Sequence, residues 1–569
     1  MNRRRYPLLT VAAAVVSVLV SLLFGSAPAD AAASHALIQG SGSSWSANAV
    51  NQWIADVQAN GLQVVFTASG SAIGRKDFAY RTTDFAVSDI GYQGKDPVTG
   101  EADTPCTPQC RPYAYLPIVA GGTAFPYQIK VAGQLVRNLR LSGQTLAKIF
   151  TNKITNWDDP EITADNNGHA LPSLPIIPVV HSEGSGSTAQ FTRYLDKQYP
   201  SIWRPFLGTS GLTEYFPRKG GQIAQNGSDG VMNFISSGAA NGAIGYDEYS
   251  YALAKNFPVA KVENAAGYFT APTQYNVAVA LTKAQINMDK SSKDYLLQNL
   301  DQVYTNPDPR TYAISSYSYM IIPTSPTDPR MTTAKRQTLA DFLYYSVCQG
   351  QAEMGPIGYS PLPINLVQAS FAQTAKLKTA DPGVDLTQRN VSTCHNPTFI
   401  AGQPNRNYLA EIAPKPPACD KSGAGPCDAN AGIANGNPRN GKAPQTSSPG
   451  QGSTTSSGST ATKGSSTATS GGAKTAASSS TGTGQSGTTA VTGSTGASPS
   501  VNPDTGQVVD TQVAAAADPV TGVPTQLAGY RQQNLTSVLG SVAALEILAL
   551  IVLPPILAVY LSRRRRRQS

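Results

Sequence analysis

The feature that most constrains the fold is a turn about one-third of the way along the chain. Ile176, Ile177, Pro178, Val179 and Val180 form a short apolar run that reads as a buried strand. Phe191, Tyr194 and Leu195 then fall at helical spacing. Between strand and helix lie His181, Ser182, Glu183 and the segment Gly184, Ser185, Gly186, Ser187, Thr188. A strand that turns into a helix through Gly and Ser collects unpaired N–H groups and hydroxyls where the helix dipole favours negative charge. The segment therefore reads as an anion site, with an ordinary serine-capped loop as the alternative.

The same pattern recurs upstream. A strand over 36–39 leads into Gly40, Ser41, Gly42, Ser43, Ser44 and Trp45, then a helix through Ala49, Val50, Trp53, Ile54 and Val57. A second strand, 62–67, ends in small residues up to Gly70 and Ser71, and a third, 85–87, ends in Ser88 and Asp89. Further on, 141–150 reads as a capped helix, Gly227 and Ser228 open another, 243–246 is a strand, and 338–347 is an amphipathic helix. Strand–helix alternation argues for an α/β fold, whose ligands sit at the carboxyl ends of strands.

Composition decides what surrounds this domain. Of the 569 residues, 43 are Lys or Arg and 35 Asp or Glu, a net charge of +8. Arg3, Arg4 and Arg5, with the five arginines at 563–567, account for that whole excess, so no basic groove for a polynucleotide is indicated. Both clusters flank apolar runs. Residues 1–33 have the basic, apolar and Ala-rich order of a secretory signal peptide. Residues 535–561 are long enough to span a bilayer, contain Glu546 as their one charge, and run into the basic tail 562–569. The expected topology is single-pass in the cell membrane, with the N-terminal domain outside.

Residues 34–400 have the composition of a folded domain, whereas 401–534 are rich in Pro, Gly, Ser and Thr and read as a disordered stalk. Six cysteines in an exported chain point to disulfides, and six allow 15 connectivities. Proximity favours Cys106–Cys110, Cys348–Cys394 and Cys419–Cys427. His395 is the nearest histidine to any of them and the spacing fits no common zinc site, so no metal is expected.

Seven segments in order resemble the PstS family, the phosphate-binding proteins of ABC transporters. They are 40–45 (Gly-Ser-Gly-Ser-Ser-Trp), Gly70-Ser71, 84–89 (Asp-Phe-Ala-Val-Ser-Asp), 116–122, 149–158, 184–188 and 242–249. The resemblance implies two α/β lobes that close on a ligand across a hinge, a periplasmic-binding-protein-like fold. Lobe one would be about 35–122 with 314–400, and lobe two about 123–313. It implies inorganic phosphate or a similar oxyanion as ligand, an ABC permease as partner, no cofactor, no catalysis and a monomeric ectodomain.

The implied ligand residues are Ser44, the Trp45 backbone, Ser71, Asp89, Ser185, Gly186 and Ser187, with Glu183 as an acidic neighbour. Asp89 would accept a proton-bearing phosphate oxygen. A carboxylate can only accept, so it repels a fully deprotonated oxyanion such as sulfate. His181 stands where the family has an arginine, which replaces a bidentate permanent cation by a group with an ordinary pKa near ~6.5. His181 is the eighth candidate ligand residue. Its place implies phosphate binding that is weaker, or favoured by acid, or replaced by another ligand. The alternative is a ring that points elsewhere and a site that relies on dipoles alone.

Enzyme chemistry is disfavoured. Residues 184–188 lack the Gly-Lys-Ser/Thr of a Walker A loop and form no Gly-x-Ser-x-Gly elbow. The long stalk motivates one competing reading, a surface interaction or sensing protein that keeps the fold and binds another oxyanion or none.

Overall fold

The structure, a computed structural model, describes residues 35–102 and 111–427. The expected signal peptide, the Cys106–Cys110 pair, the stalk from 428 on, the span 535–561 and the basic tail lie outside the described residues. Among the described residues no helix is long and apolar enough to cross a membrane.

The first sheet is built from strand–helix units. β1 (Ile38–Gly42) leads to α1 (Ala47–Gln58), β2 (Val64–Thr67) to α2 (Ser71–Ala79), and β3 (Phe85–Ser88) ends at Asp89. β1 pairs in parallel with β2 on one side and β3 on the other, Ser41 lying opposite both Thr67 and Ala86. Three parallel strands therefore open their carboxyl ends on one rim. The long strand β4 (Tyr113–Ala124) completes this sheet with two strands that arrive from far along the chain.

The second lobe has its own parallel sheet. After α3 (Gly143–Phe150), capped by the Ser142 hydroxyl at 3.2 Å from the Thr145 N–H, come β5 (Ile177–His181) and α4 (Gly186–Gln198). β6 (Ile223–Gln225), α5 (Gly227–Ile235) and β7 (Ala243–Gly245) follow, and the sheet order is β7–β5–β6. The chain then returns. β8 (Asp247–Glu248) is antiparallel to β4, and, beyond the helix α6 (Gln274–Leu281), β9 (Ser315–Pro323) inserts antiparallel between β4 and β3. The first sheet thus runs β8–β4–β9–β3–β1–β2, with α7 (Thr333–Val347) packed on it. Gly245 belongs to one sheet and Asp247 to the other, so the crossover between lobes passes through Tyr246.

All four tryptophans, Trp45, Trp53, Trp157 and Trp203, are fully buried. Trp53 donates its indole N–H to the Gly350 carbonyl at 3.0 Å, and Trp45 meets Tyr359 edge-on with ring centroids 5.7 Å apart. Among the described residues two disulfides are formed, Cys348–Cys394 and Cys419–Cys427.

The folded region extends past the composition boundary at 400. Residues 401–427, assigned from composition to the stalk, pack onto the second lobe and α6. Leu409, Ala410 and Ala413, in and just after the short helix α8 (Tyr408–Ile412), bury against Ala278 and Val279. Arg310 donates to the carbonyls of Ala410 and Ala413 at 3.0 and 3.2 Å, and Arg140 to those of Cys419 and Ala424 at 3.0 and 2.6 Å. Lys261 pairs with Asp420 at 2.7 Å. The segment has few large apolar groups, and it is ordered by cations donated from outside it and by its disulfide. Composition alone carries no trace of that.

The 46-residue separation of Cys348 and Cys394 makes their disulfide a strong constraint on the unfolded chain. Replacing both by serine is expected to cost about 2–5 kcal/mol. A drop in the thermal midpoint relative to the oxidised parent would show it, and an unchanged midpoint would contradict it.

Candidate functional site

The carboxyl ends of the parallel strands from both lobes meet at Asp89. Its side chain is fully buried and receives three serine hydroxyls from separate elements. Ser43, after β1, donates to Oδ2 at 2.7 Å; Ser318, within β9, donates to Oδ1 at 2.7 Å; Ser71, opening α2, donates to Oδ2 at 3.3 Å. Gln190 of α4 donates its amide to the Asp89 carbonyl at 2.8 Å, so the second lobe also grips the main chain here. Burial pushes the Asp89 carboxyl up, against the three serines and the charge of Arg75.

The helix start of the second lobe closes directly onto this carboxylate. A Cβ placed on Gly186 would lie 2.1 Å from Asp89 Oδ2 and 2.5 Å from Ser71 Oγ, an approach open only to glycine. Ser185 caps α4 by accepting the Thr188 N–H at 3.3 Å, which leaves the first N–H groups of the helix, at Gly186 and Ser187, without intrahelical partners. Ser187 adds a buried hydroxyl that has no hydrogen-bond partner among the described residues. The Ala72 N–H donates to the Gly184 carbonyl at 3.0 Å, a second stitch between lobes.

Ser44 faces a different member of the second lobe. Its hydroxyl lies 3.1 Å from Ser228 Oγ and accepts the Ser228 N–H, also at 3.1 Å, at the start of α5. Its carbonyl accepts the Tyr251 hydroxyl at 2.6 Å. Trp45 is core, and its carbonyl accepts from Tyr359 at 2.6 Å.

His181 is buried at the end of β5 with both ring nitrogens against acceptors. Nδ1 lies 2.7 Å from Glu183 Oε1 and Nε2 lies 3.3 Å from the Tyr246 carbonyl. A neutral imidazole donates only once, so this setting suits the imidazolium. Burial works to lower the His181 pKa, but the charge and hydrogen bond of Glu183 outweigh it and the pKa is raised. Burial likewise works to raise Glu183, but His181 holds it below the usual carboxylate range. The second Glu183 oxygen accepts the Gly227 N–H at 3.0 Å. His181 and Glu183 thus form a local ion pair whose carboxylate anchors the start of α5 through the Gly227 N–H.

The structure brings Ser71, Asp89 and Gly186 into one contact, with Ser185 capping that helix start and Ser187 next to it. Ser44 lies on the Ser228 bridge, and the His181 ring is committed to Glu183 and Tyr246. Sequence reasoning passed over four residues of the assembly. Ser43 sits inside a segment already singled out, and Ser228 opens a helix by the same Gly-Ser logic. Asp247 lies within 242–249, a segment also singled out, whereas Ser318 comes from a strand paired only in the folded sheet and carries no local signal. Among the described residues, no group of three or more His, Cys, Asp or Glu is arranged to hold a metal ion.

The ion pair has a defined pH window. His181 has a folded pKa above the unfolded 6.5, so its stabilisation is complete below that value and is lost as pH rises through the folded pKa. Glu183 is depressed, so its share is present above 4.5 and lost as pH falls through its folded pKa. His181→Ala is expected to cost about 3–5 kcal/mol at pH 6, where it strands a buried carboxylate, and clearly less at pH 9. Urea denaturation at the two pH values measures this; equal costs would show that His181 does not titrate between them.

Comparison with known proteins gives relatives of one kind. A family model described as a PBP superfamily domain matches residues 26–349. The phosphate-binding protein PstS 2 of Mycobacterium tuberculosis is 31% identical over 329 residues, covering 57% of this chain and 83% of the relative. The phosphate-binding protein PstS 3 of Mycobacterium leprae is 30% identical over 330 residues, with the same 57% and 83% coverage. A solved structure of a high-affinity periplasmic phosphate-binding protein bound with phosphate is 21% identical, covers 61% of this chain and 99% of that one, and has a TM-score of 0.44.

Proposed function

We propose that this chain, which belongs to the PBP superfamily and within it to the PstS phosphate-binding proteins, captures inorganic phosphate between its two lobes outside the cell and delivers it to an ABC permease. The observation that carries this reading is the meeting of Gly186 with Asp89 and Ser71, where a helix start of one lobe closes on a buried carboxylate of the other. Two kinds of group are needed to hold a proton-bearing oxyanion: fixed neutral donors for its charged oxygens and one acceptor for its proton. The N–H groups of Gly186 and Ser187, with the unpartnered Ser187 hydroxyl, supply the first kind. Asp89 supplies the second.

The same chemistry sets the selectivity. An ionised Asp89 accepts from phosphate and repels sulfate, which brings no proton. His181, tied to Glu183 and the Tyr246 carbonyl, supports the site through Glu183, which accepts the Gly227 N–H at the start of α5. In this reading the ectodomain is a monomer, the span 535–561 holds it at the membrane, and the segment beyond Cys427 sets its distance from the permease. No step of catalysis is assigned to it.

Isothermal titration of the chain with phosphate and with sulfate tests the reading. Phosphate is expected to bind and sulfate to give no heat, while Asp89→Asn weakens phosphate and lets sulfate compete. Gly186→Ala forces a methyl group into the interlobe contact and is expected to cost about 1–3 kcal/mol of binding, roughly 5- to 150-fold. No response of the parent to millimolar phosphate would remove the proposal. Delivery is tested separately: a strain lacking the chain should lose phosphate uptake and regain it on complementation.

A further inference from the structure

Asp247 is a buried acid that the phosphate reading above does not use. It opens β8 two residues after Gly245, and it pairs with Ala124 of β4. Its side chain is therefore rooted in the crossover between lobes, and it is completely buried. Oδ1 accepts the Glu248 N–H at 2.8 Å, whereas Oδ2 is buried with no hydrogen-bond partner among the described residues. An ionised oxygen placed so, without a donor, is strongly unfavourable.

Its surroundings link it, through Ser228, to Ser44, a candidate ligand residue of the first lobe. Ser228, beside the Asp247 carboxyl, is the residue whose hydroxyl and N–H both meet Ser44. The charged and titratable groups facing Asp247 are His181 and Glu183 from the end of β5, Tyr246 in the crossover, Glu248 on its own strand, and Tyr251, which Asp229 of α5 also influences. His181 is the one cation of this set, and Glu183 already holds it at 2.7 Å. Burial pushes the Asp247 carboxyl up to about 7; Glu183 adds to the shift, and His181 and Ser228 oppose it.

We propose that Asp247 is a second acidic contact of the anion site and makes it take dihydrogen phosphate rather than the monohydrogen dianion. The inference rests on the phosphate reading. A carboxylate only accepts, so two ionised carboxylates require a ligand with two protons, and monohydrogen phosphate brings one. A neutral Asp247 donating to the dianion gives the same count. Either way the complex holds one more proton than Asp89 alone would demand.

That extra proton is measurable without any variant. The full chain, purified in detergent, is titrated with inorganic phosphate at pH 8 in buffers of different ionisation heat. Uptake of about one proton per phosphate is expected, with affinity falling about tenfold per pH unit above 8. Asp247→Asn should bring the uptake near zero and flatten that fall, because Asn donates to the dianion; Asp89, His181, Glu183, Glu248 and Tyr251 remain in the variant. Phosphate binding by the parent with no proton uptake overturns the proposal, as does a variant that keeps the parent's pH slope. If the variant fails to fold, judged by its melting transition, the parent's proton count decides alone. A parent that binds no phosphate removes the reading beneath the proposal, and that outcome is distinct from binding without uptake.

Discussion

The buried carboxylate of Asp89 is the constraint on which the rest of the structure depends. It takes hydrogen bonds from serines that follow β1, open α2 and sit inside β9, so three separate stretches must converge before it is satisfied. Hydrogen bonds to a charged acceptor contribute about 1.5–3 kcal/mol each, and leaving such an acceptor bare would cost comparably. β9 can supply Ser318 only because it inserts between β3 and β4, with Tyr319 opposite Ser88. The sheet order and the acid are thus two sides of one requirement. The second lobe adds Gly186, whose missing side chain lets a helix start reach the same point.

Around that centre, charge is balanced locally rather than aimed at a ligand. His181 faces Glu183 and a carbonyl, and Arg75 lies with Glu214 and donates to Ser88 at 2.8 Å. In the proposed reading, recognition of an anion falls to hydroxyls and N–H groups, which need no counterion and respond little to salt. In the same reading the buried acids decide which protonation state of a ligand fits. A site of this kind distinguishes oxyanions by their protons more than by their charge.

Much of this was legible in the sequence, and the reasons for the rest are physical. The strand-end turns at Gly70-Ser71, at Asp89 and at 184–188 announce themselves because a helix start needs small polar residues at fixed offsets, a purely local demand. The helices through Trp53 and Phe191 follow from apolar spacing. Ser318 could not be found, since its strand is buried throughout and its partner lies 229 residues away. The neighbouring hydroxyls Ser43 and Ser44 divide between Asp89 and Ser228, and that division depends on how the two lobes meet. His181 stands out in sequence as a replaced arginine, but its commitment to Glu183 and Tyr246 is set by the β5 geometry. The end of the folded region was misplaced for a related reason: residues 401–427 are held by Arg140, Lys261 and Arg310, all remote in sequence.

The central claim, that phosphate is held between the lobes at Asp89, is tested most directly by a crystal structure grown with phosphate. The account predicts the anion with one oxygen bonded to Asp89 and others on the N–H groups of Gly186 and Ser187. A phosphate bound elsewhere, or an Asp89 still bonded to its three serines alone at saturating phosphate, would contradict it.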